Sequence, residues 1–239
     1  MTLGTLYGIG IGPGDPELMT VKGARLLSEA KHIFVPRGHK GKESVAHKIA
    51  EGYFSKSAEM HEVVFHAAED KEGLQRYWYD VARDVATVLE KGEDVCFVTL
   101  GDALFYSTYI YVVWELRKIL PEVVIETVPG ISAYSAISSV TEFPLGYRKN
   151  PVVVIPADED MEALKRAVQN DCSIAIMKVG NHFEKILSIL EESNLINRSV
   201  FVCKVGLPEQ RIEWDLRSLK GKITKKEYLS IILVNNNSD

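Results

Sequence analysis

The chain has no apolar run near the roughly 20 residues that a membrane-spanning helix requires, and no membrane partner is expected. It has little cysteine. Cys96, Cys172 and Cys203 are scattered through 239 residues, each inside an apolar segment and without the short spacing of a metal site. They read as buried reduced thiols rather than a disulfide pair, which fits a cytoplasmic setting. Positive charge is not in excess: 28 Lys and Arg stand against 33 Asp and Glu, a formal charge of −5. That balance argues against a broad nucleic-acid surface and leaves room for local basic pockets. A signal-peptide arrangement, an internal repeat and a low-complexity tract are also missing.

Two nucleotide-binding signatures are missing as well. Glycines stand at 8, 10, 12 and 14, but the dinucleotide fingerprint needs a third glycine where Pro13 or Asp15 stands. The Lys-Ser/Thr ending of a P-loop is absent. Gly8-Ile-Gly-Ile-Gly12 matches the loop of Rossmann-like methyltransferases, yet those folds expect an acid at the end of the second strand. Val35-Pro36-Arg37 stands there instead.

What is present alternates between strand and helix patterns, the signature of an α/β fold. Leu3 to Ile11 reads as a first strand entering Gly12-Pro13-Gly14-Asp15-Pro16. Thr20 reads as the cap of a helix with Val21, Ala24 and Leu27 on one face. His32-Ile33-Phe34-Val35 reads as a second strand ended by Pro36-Arg37-Gly38, Glu43 to Phe54 as a helix, and Glu62 to Phe65 as a strand. Glu69 to Lys91 reads as a long amphipathic helix closed by Gly92. Val95 to Thr99 is a buried strand, and Tyr106 to Leu120 has helical spacing. Gly101-Asp102 therefore falls at the carboxyl end of a strand just before a helix, where open α/β sheets bind ligands. A plain β-to-α turn remains the alternative.

Val123 to Val128 is a further strand, followed by Pro129-Gly130-Ile131-Ser132-Ala133. Phe143 to Pro151 reads as a linker, which sets the expected domains at 1–145 and 146–239. Beyond it, strands are expected at 152–155, 173–177, 199–204 and 228–234, with helices at 161–168 and 183–192. Arg211 to Trp214 reads as an extra edge strand and Asn235 to Asp239 as a disordered tail. His32, His39, His47, His61, His66 and His182 show no ligand spacing, and no metal site is expected.

A first strand ending in Gly-x-Gly-Pro-Gly-Asp-Pro, a helix from Thr20, then Gly101-Asp102, then Val128-Pro129-Gly130-Ile131-Ser132-Ala133 resembles the tetrapyrrole methylase superfamily. The order and spacing hold over almost the whole chain. Within it, Gly101 to Thr108 with Tyr109 and Tyr111, and Pro129 to Ala136, are similar to the C-20 methyltransferases of cobalamin biosynthesis. Those act on precorrin-2 or its cobalt-bearing counterpart, cobalt-factor II.

The resemblance implies two α/β domains of the class III methyltransferase fold, S-adenosylmethionine held between them, and a homodimer. By position it places Pro13, Leu100, Gly101, Asp102, Phe105, Ser132 and Ala133 at the cofactor, joined from the second domain by Met177, Val205, Gly206 and Leu207. Arg37, Lys40, Tyr106, Ser107 and Tyr111 are the candidates for holding the carboxylate-rich ring. Two positions depart from the family: Ala103 replaces the usual Pro after Gly-Asp, and Pro36 stands where some relatives carry an Asp base. No catalytic base is assigned. A methylase of RNA or protein, or a module that binds an adenine ligand without turnover, are the competing expectations.

Overall fold

The computed structural model describes residues 2–37, 44–64, 71–158, 160–224 and 227–236. The chain forms two compact units, Met1–Ser132 and Ala133–Asp239. The first contains a five-stranded sheet of β1 (Thr5–Gly10), β2 (His32–Arg37), β3 (Glu59–Val64), β4 (Val95–Thr99) and β5 (Val124–Val128). Its order is β3-β2-β4-β1-β5 and every pairing is parallel. The crossovers carry α1 (Val21–Glu29), α2 (Val45–Ala50), α3 (Lys71–Leu89) and α4 (Tyr109–Ile119). A parallel sheet buried on both faces calls for continuous apolar strands, and all five residues of β4 are buried.

The core of this unit follows from helical spacing. Trp78, Val81, Ala82, Val85, Ala86 and Leu89 recur every three or four residues along α3. They pack with Val112 and Leu116 of α4 against Leu6, Phe34 and Phe97 of the sheet. Gly92, at φ +79°, closes the turn after α3 as its position predicts.

The second unit opens with α5 (Ala133–Thr141) and continues through β6 (Val152–Pro156), α6 (Glu162–Ala167), β7 (Cys172–Met177), α7 (Phe183–Glu192), β8 (Ser199–Cys203), β9 (Arg211–Glu213) and β10 (Ser230–Asn236). Its sheet runs β6-β7-β10-β8-β9. β10 lies antiparallel between β7 and β8, so β7 and β8 point the same way. Ile174, Ile176, Phe183, Ile186, Leu190, Phe201 and Ile232 anchor a separate core.

Several expectations shift. The units part between Ser132 and Ala133, upstream of the expected 145/146 boundary. The stretch that reads as a linker is not loose: Phe143 and Leu145 are buried, and Phe143 N donates to Ser138 O at 3.1 Å. Proline and glycine ended the helix there without freeing the chain from its unit. Thr20 does cap α1, accepting from Gly23 N at 3.1 Å. The buried face of that helix is Gly23, Leu26 and Leu27, while Val21 is exposed.

β2 continues through Pro36 to Arg37. α4 begins at Tyr109 rather than Tyr106, because Tyr106 takes a left-handed φ of +52°. Asn235 and Asn236 belong to β10, and the rest of the expected tail lies outside the described residues. All three cysteines are buried and free.

Candidate active site

At the carboxyl edge of the first sheet, the loops after β1, β4 and β5 are drawn together by glycine backbones. Gly12 and Gly101 exchange a pair of hydrogen bonds, Gly101 N to Gly12 O at 2.8 Å and Gly12 N to Gly101 O at 3.2 Å. Both take left-handed φ values, +82° and +71°. A Cβ on Gly10 would sit 2.6 Å from Gly130 N and 2.8 Å from Gly101 O, so three chain segments touch where no side chain fits. By contrast, a Cβ on Gly101 would meet nothing within 4 Å. The backbone there borders open space, which suits close approach by a ligand.

Asp102 fastens this arrangement. Its Oδ1 accepts from Leu104 N at 2.9 Å and its Oδ2 from Gly130 N at 3.0 Å. The carboxylate thus ties the loop after β4 to the loop after β5. Of the residues expected at the cofactor, Pro13, Leu100, Gly101, Asp102, Phe105 and Ser132 all lie on these three loops of the first unit. Pro13 is buried, while Leu100, Gly101, Asp102, Phe105 and Ser132 are partly exposed. Ala133 is the first residue of α5 in the second unit.

The tyrosines and serine after the loop divide into exposed and buried sets. Tyr106 is exposed, its ring edge-on to Phe105 with centroids 4.8 Å apart. Ser107 is buried: its hydroxyl pairs with Thr99 Oγ1 at 2.8 Å and accepts from Tyr109 N at 3.1 Å. Ser107 is the residue expected to hold substrate, and here its hydroxyl is engaged within the protein. The residue secures the start of α4 to the end of β4. Tyr111 is 43% exposed and stacks on Trp78 at 5.5 Å, with Trp114 edge-on at 5.6 Å. Tyr109 is fully buried beneath Gly8, where a Cβ would overlap the tyrosine ring. Its hydroxyl pairs with Thr127 Oγ1 at 3.3 Å, and burial raises its pKa above the usual tyrosine value.

Arg37 ends β2 at this same carboxyl edge and forms an ion pair with Glu62 of β3 at 2.5 Å. It lines a cavity of about 270 Å³ with Val35, Ser44, His47, Lys48 and Glu62. Lys40 lies outside the described residues.

In the second unit, Met177 ends β7 and Val205-Gly206-Leu207 follows β8. Because β7 and β8 are parallel, these residues share one edge of their sheet. Val205 is buried, and Gly206 turns at φ +75° while its N–H donates to Gln210 Oε1 at 2.8 Å. Lys178 and Lys204, one residue past each strand, both adopt left-handed backbone at +58° and +53°. Strained non-glycine backbone of this kind concentrates at ligand sites.

One cluster escaped the sequence reading. Among the described residues, donor atoms of His32, Glu59 and His61 all lie within 4.8 Å of one another. The two histidines are distant in sequence, and parallel pairing of β2 with β3 brings them together.

Residues 5–220 match the family model for tetrapyrrole (corrin/porphyrin) methylases. The chain belongs to that family. The chain is 30% identical over 232 residues to cobalt-precorrin-2 C(20)-methyltransferase of Salmonella typhimurium, covering 97% of this chain and 96% of that protein. It is 32% identical over 235 residues to the probable cobalt-precorrin-2 C(20)-methyltransferase of Methanocaldococcus jannaschii, covering 96% and 95%. Among solved structures it resembles uroporphyrin-III C-methyltransferase from Thermus thermophilus complexed with S-adenosyl homocysteine. That match has a TM-score of 0.67 at 20% identity over 97% of each chain.

Proposed function

We propose that this tetrapyrrole methylase transfers a methyl group from S-adenosylmethionine to C-20 of the precorrin-2 ring in cobalamin biosynthesis. Full-length likeness to two proteins carrying that activity in their names is what supports the reading most. Both names specify the cobalt-bearing ring, so we take that form as the first substrate to try.

The residues fit such a cofactor. Gly101 presents open backbone, and Asp102 braces it against Gly130 N. Pro13, Leu100, Phe105 and Ser132 stand on the same loops, and in this reading they hold the donor; within the second unit Ala133, Met177, Val205, Gly206 and Leu207 are retained as cofactor candidates. When bound, S-adenosylmethionine supplies a methyl group activated by its positive sulfur. Transfer to C-20 would leave the sulfur–methyl electron pair on sulfur, and the C-20 proton would pass to solvent water. Alignment matters more here than acid–base groups, and holding the two carbons in line supplies about 7–11 kcal/mol of the barrier. Arg37, Lys40, Tyr106 and Tyr111 are retained as candidates for the ring. We include a homodimer in the cytoplasm in this reading; the buried free thiols support the compartment and the exposed Trp114 the dimer.

The test is incubation of the purified chain with methyl-labelled S-adenosylmethionine and either cobalt-loaded or metal-free precorrin-2. Label on the ring is expected. Tight binding of the cofactor with no transfer to either ring would favour an adenine-ligand module and overturn the proposal.

A further inference from the structure

We propose that His32, Glu59 and His61 form a binding site for a divalent transition-metal ion at the amino edge of the first sheet, the edge opposite the glycine loops. His32 pairs with Glu59 across β2 and β3, and Phe34 with His61, so the three side chains share one face of adjacent parallel strands. His32 is level with Val95, the first residue of β4, whereas the glycine loops leave the sheet beyond Gly10 and Thr99.

The distances suit a common ion. His32 Nδ1 and His61 Nε2 are 3.2 Å apart. Glu59 Oε2 is 3.6 Å from His32 Nδ1, and Glu59 Oε1 is 3.8 Å from His61 Nε2. Nitrogen ligands at about 2.0–2.1 Å around a tetrahedral ion stand about 3.3 Å apart. Two imidazoles and one carboxylate form the donor set of zinc and of open-sided iron, cobalt or nickel sites. Only a small rotation of the Glu59 carboxylate is then needed.

The surroundings orient the ligands. His32 Nε2 donates to Glu93 Oε2 at 2.8 Å, so its proton sits on the far nitrogen and Nδ1 presents a lone pair toward His61. A carboxylate behind a ligating histidine is the usual supporting arrangement of a bound metal. The His61 ring stacks on Phe34 with centroids 4.3 Å apart and an interplanar angle of 8°, which fixes its direction. Without an ion, His61 Nε2–H must donate to His32 Nδ1. With one, His61 carries its proton on Nδ1 and both lone pairs converge. His32 is largely shielded, with 12% of its side chain exposed, while Glu59 at 67% leaves an entry path. Such an ion would pin the edge strand β3 to β2.

The full-length protein, stripped with a chelator, is titrated with Zn²⁺ by calorimetry and with Co²⁺ by visible absorption. One ion per chain is expected, with ligand-field bands of a tetrahedral or five-coordinate Co²⁺ and a melting temperature that rises with Zn²⁺. His61→Ala should abolish the bands, and Glu59→Gln, an exposed change that leaves packing alone, should weaken affinity at least tenfold. Glu93→Gln should weaken it about 10–100-fold through the orientation of His32. His182→Gln, in the second unit, should leave it unchanged. Absence of saturable binding, or equal affinity in wild type, His61→Ala and Glu59→Gln, would overturn the site.

Discussion

The Asp102 carboxylate accepts the Gly130 amide at 3.0 Å, joining loops that are 28 residues apart in sequence. Its other oxygen holds Leu104 N. Hydrogen bonds to an ionised acceptor are worth about 1.5–3 kcal/mol each. Asp102→Ala releases both amides and should weaken S-adenosylmethionine binding at least tenfold by calorimetry. Asp102→Asn keeps one acceptor and should fall between. Unchanged affinity in the Ala variant would detach Asp102 from the cofactor site.

The glycine contacts make a sharper claim. A methyl group on Gly10 would press on the backbone of both Gly130 and Gly101, neither of which can yield as a flexible side chain can. Gly10→Ala should therefore cost about 1–3 kcal/mol of stability and remove cofactor binding. Gly52→Ala, where a Cβ meets nothing within 4 Å, should stay within about 0.5 kcal/mol of wild type. Urea denaturation of both variants beside the wild type checks this. Equal losses would mean that the close approach of the loops is not what Gly10 serves.

Elements with strong local signals were legible in the sequence. The buried run of β4, the three-to-four spacing of α3 and the Thr20 cap all announce themselves within a few residues. Motif order pointed to the family and to the three loops. Hidden were features that depend on cross-strand register. His32 and His61 show nothing in one dimension, and only the pairing of β2 with β3 brings them together. Ser107 was expected at the substrate from motif likeness, and its pairing with Thr99 and the Tyr109 amide lies around a turn whose shape depends on the left-handed Tyr106. The expected boundary followed the prolines and glycine of 143–151, which mark an interruption of secondary structure, whereas the burial of Phe143 is not legible from composition.

Buried thiols and phenols whose pKa is raised weaken the fold at alkaline pH. Burial pushes the Cys96 thiol up to about 12 and the Tyr77 hydroxyl up to about 12, and lifts Tyr109 as well. In the unfolded chain, thiols and phenols release their protons from about pH 8.5 and about pH 10. Above those values the folded state binds more protons than the unfolded one, so stability falls with rising pH. It is fully present below about pH 8.5 and is lost as pH climbs toward the folded values. The urea midpoint should be flat from neutrality to mild alkali and then drop. In Cys96→Ala the first part of that drop should shrink. A midpoint that declines identically in both proteins would clear Cys96 of the effect.

Arg37 and Glu62 offer a pair of opposing substitutions. The guanidinium sits at the carboxyl edge with its charge partly answered by Glu62. A ring bearing several carboxylates competes with Glu62 for that charge. Arg37→Gln should raise the KM for the tetrapyrrole several-fold and leave cofactor affinity unchanged, since Arg37 lies on β2 and not on the glycine loops. Glu62→Gln releases the guanidinium and should lower the same KM. Exposed ion pairs contribute little to stability, about 0–1 kcal/mol, so neither change should confuse binding with unfolding. If both variants raise KM alike, the ion pair acts as a brace for β2 and β3, and Arg37 is not a contact for the ring. If cofactor affinity falls in Arg37→Gln while KM holds, the residue belongs with the donor instead.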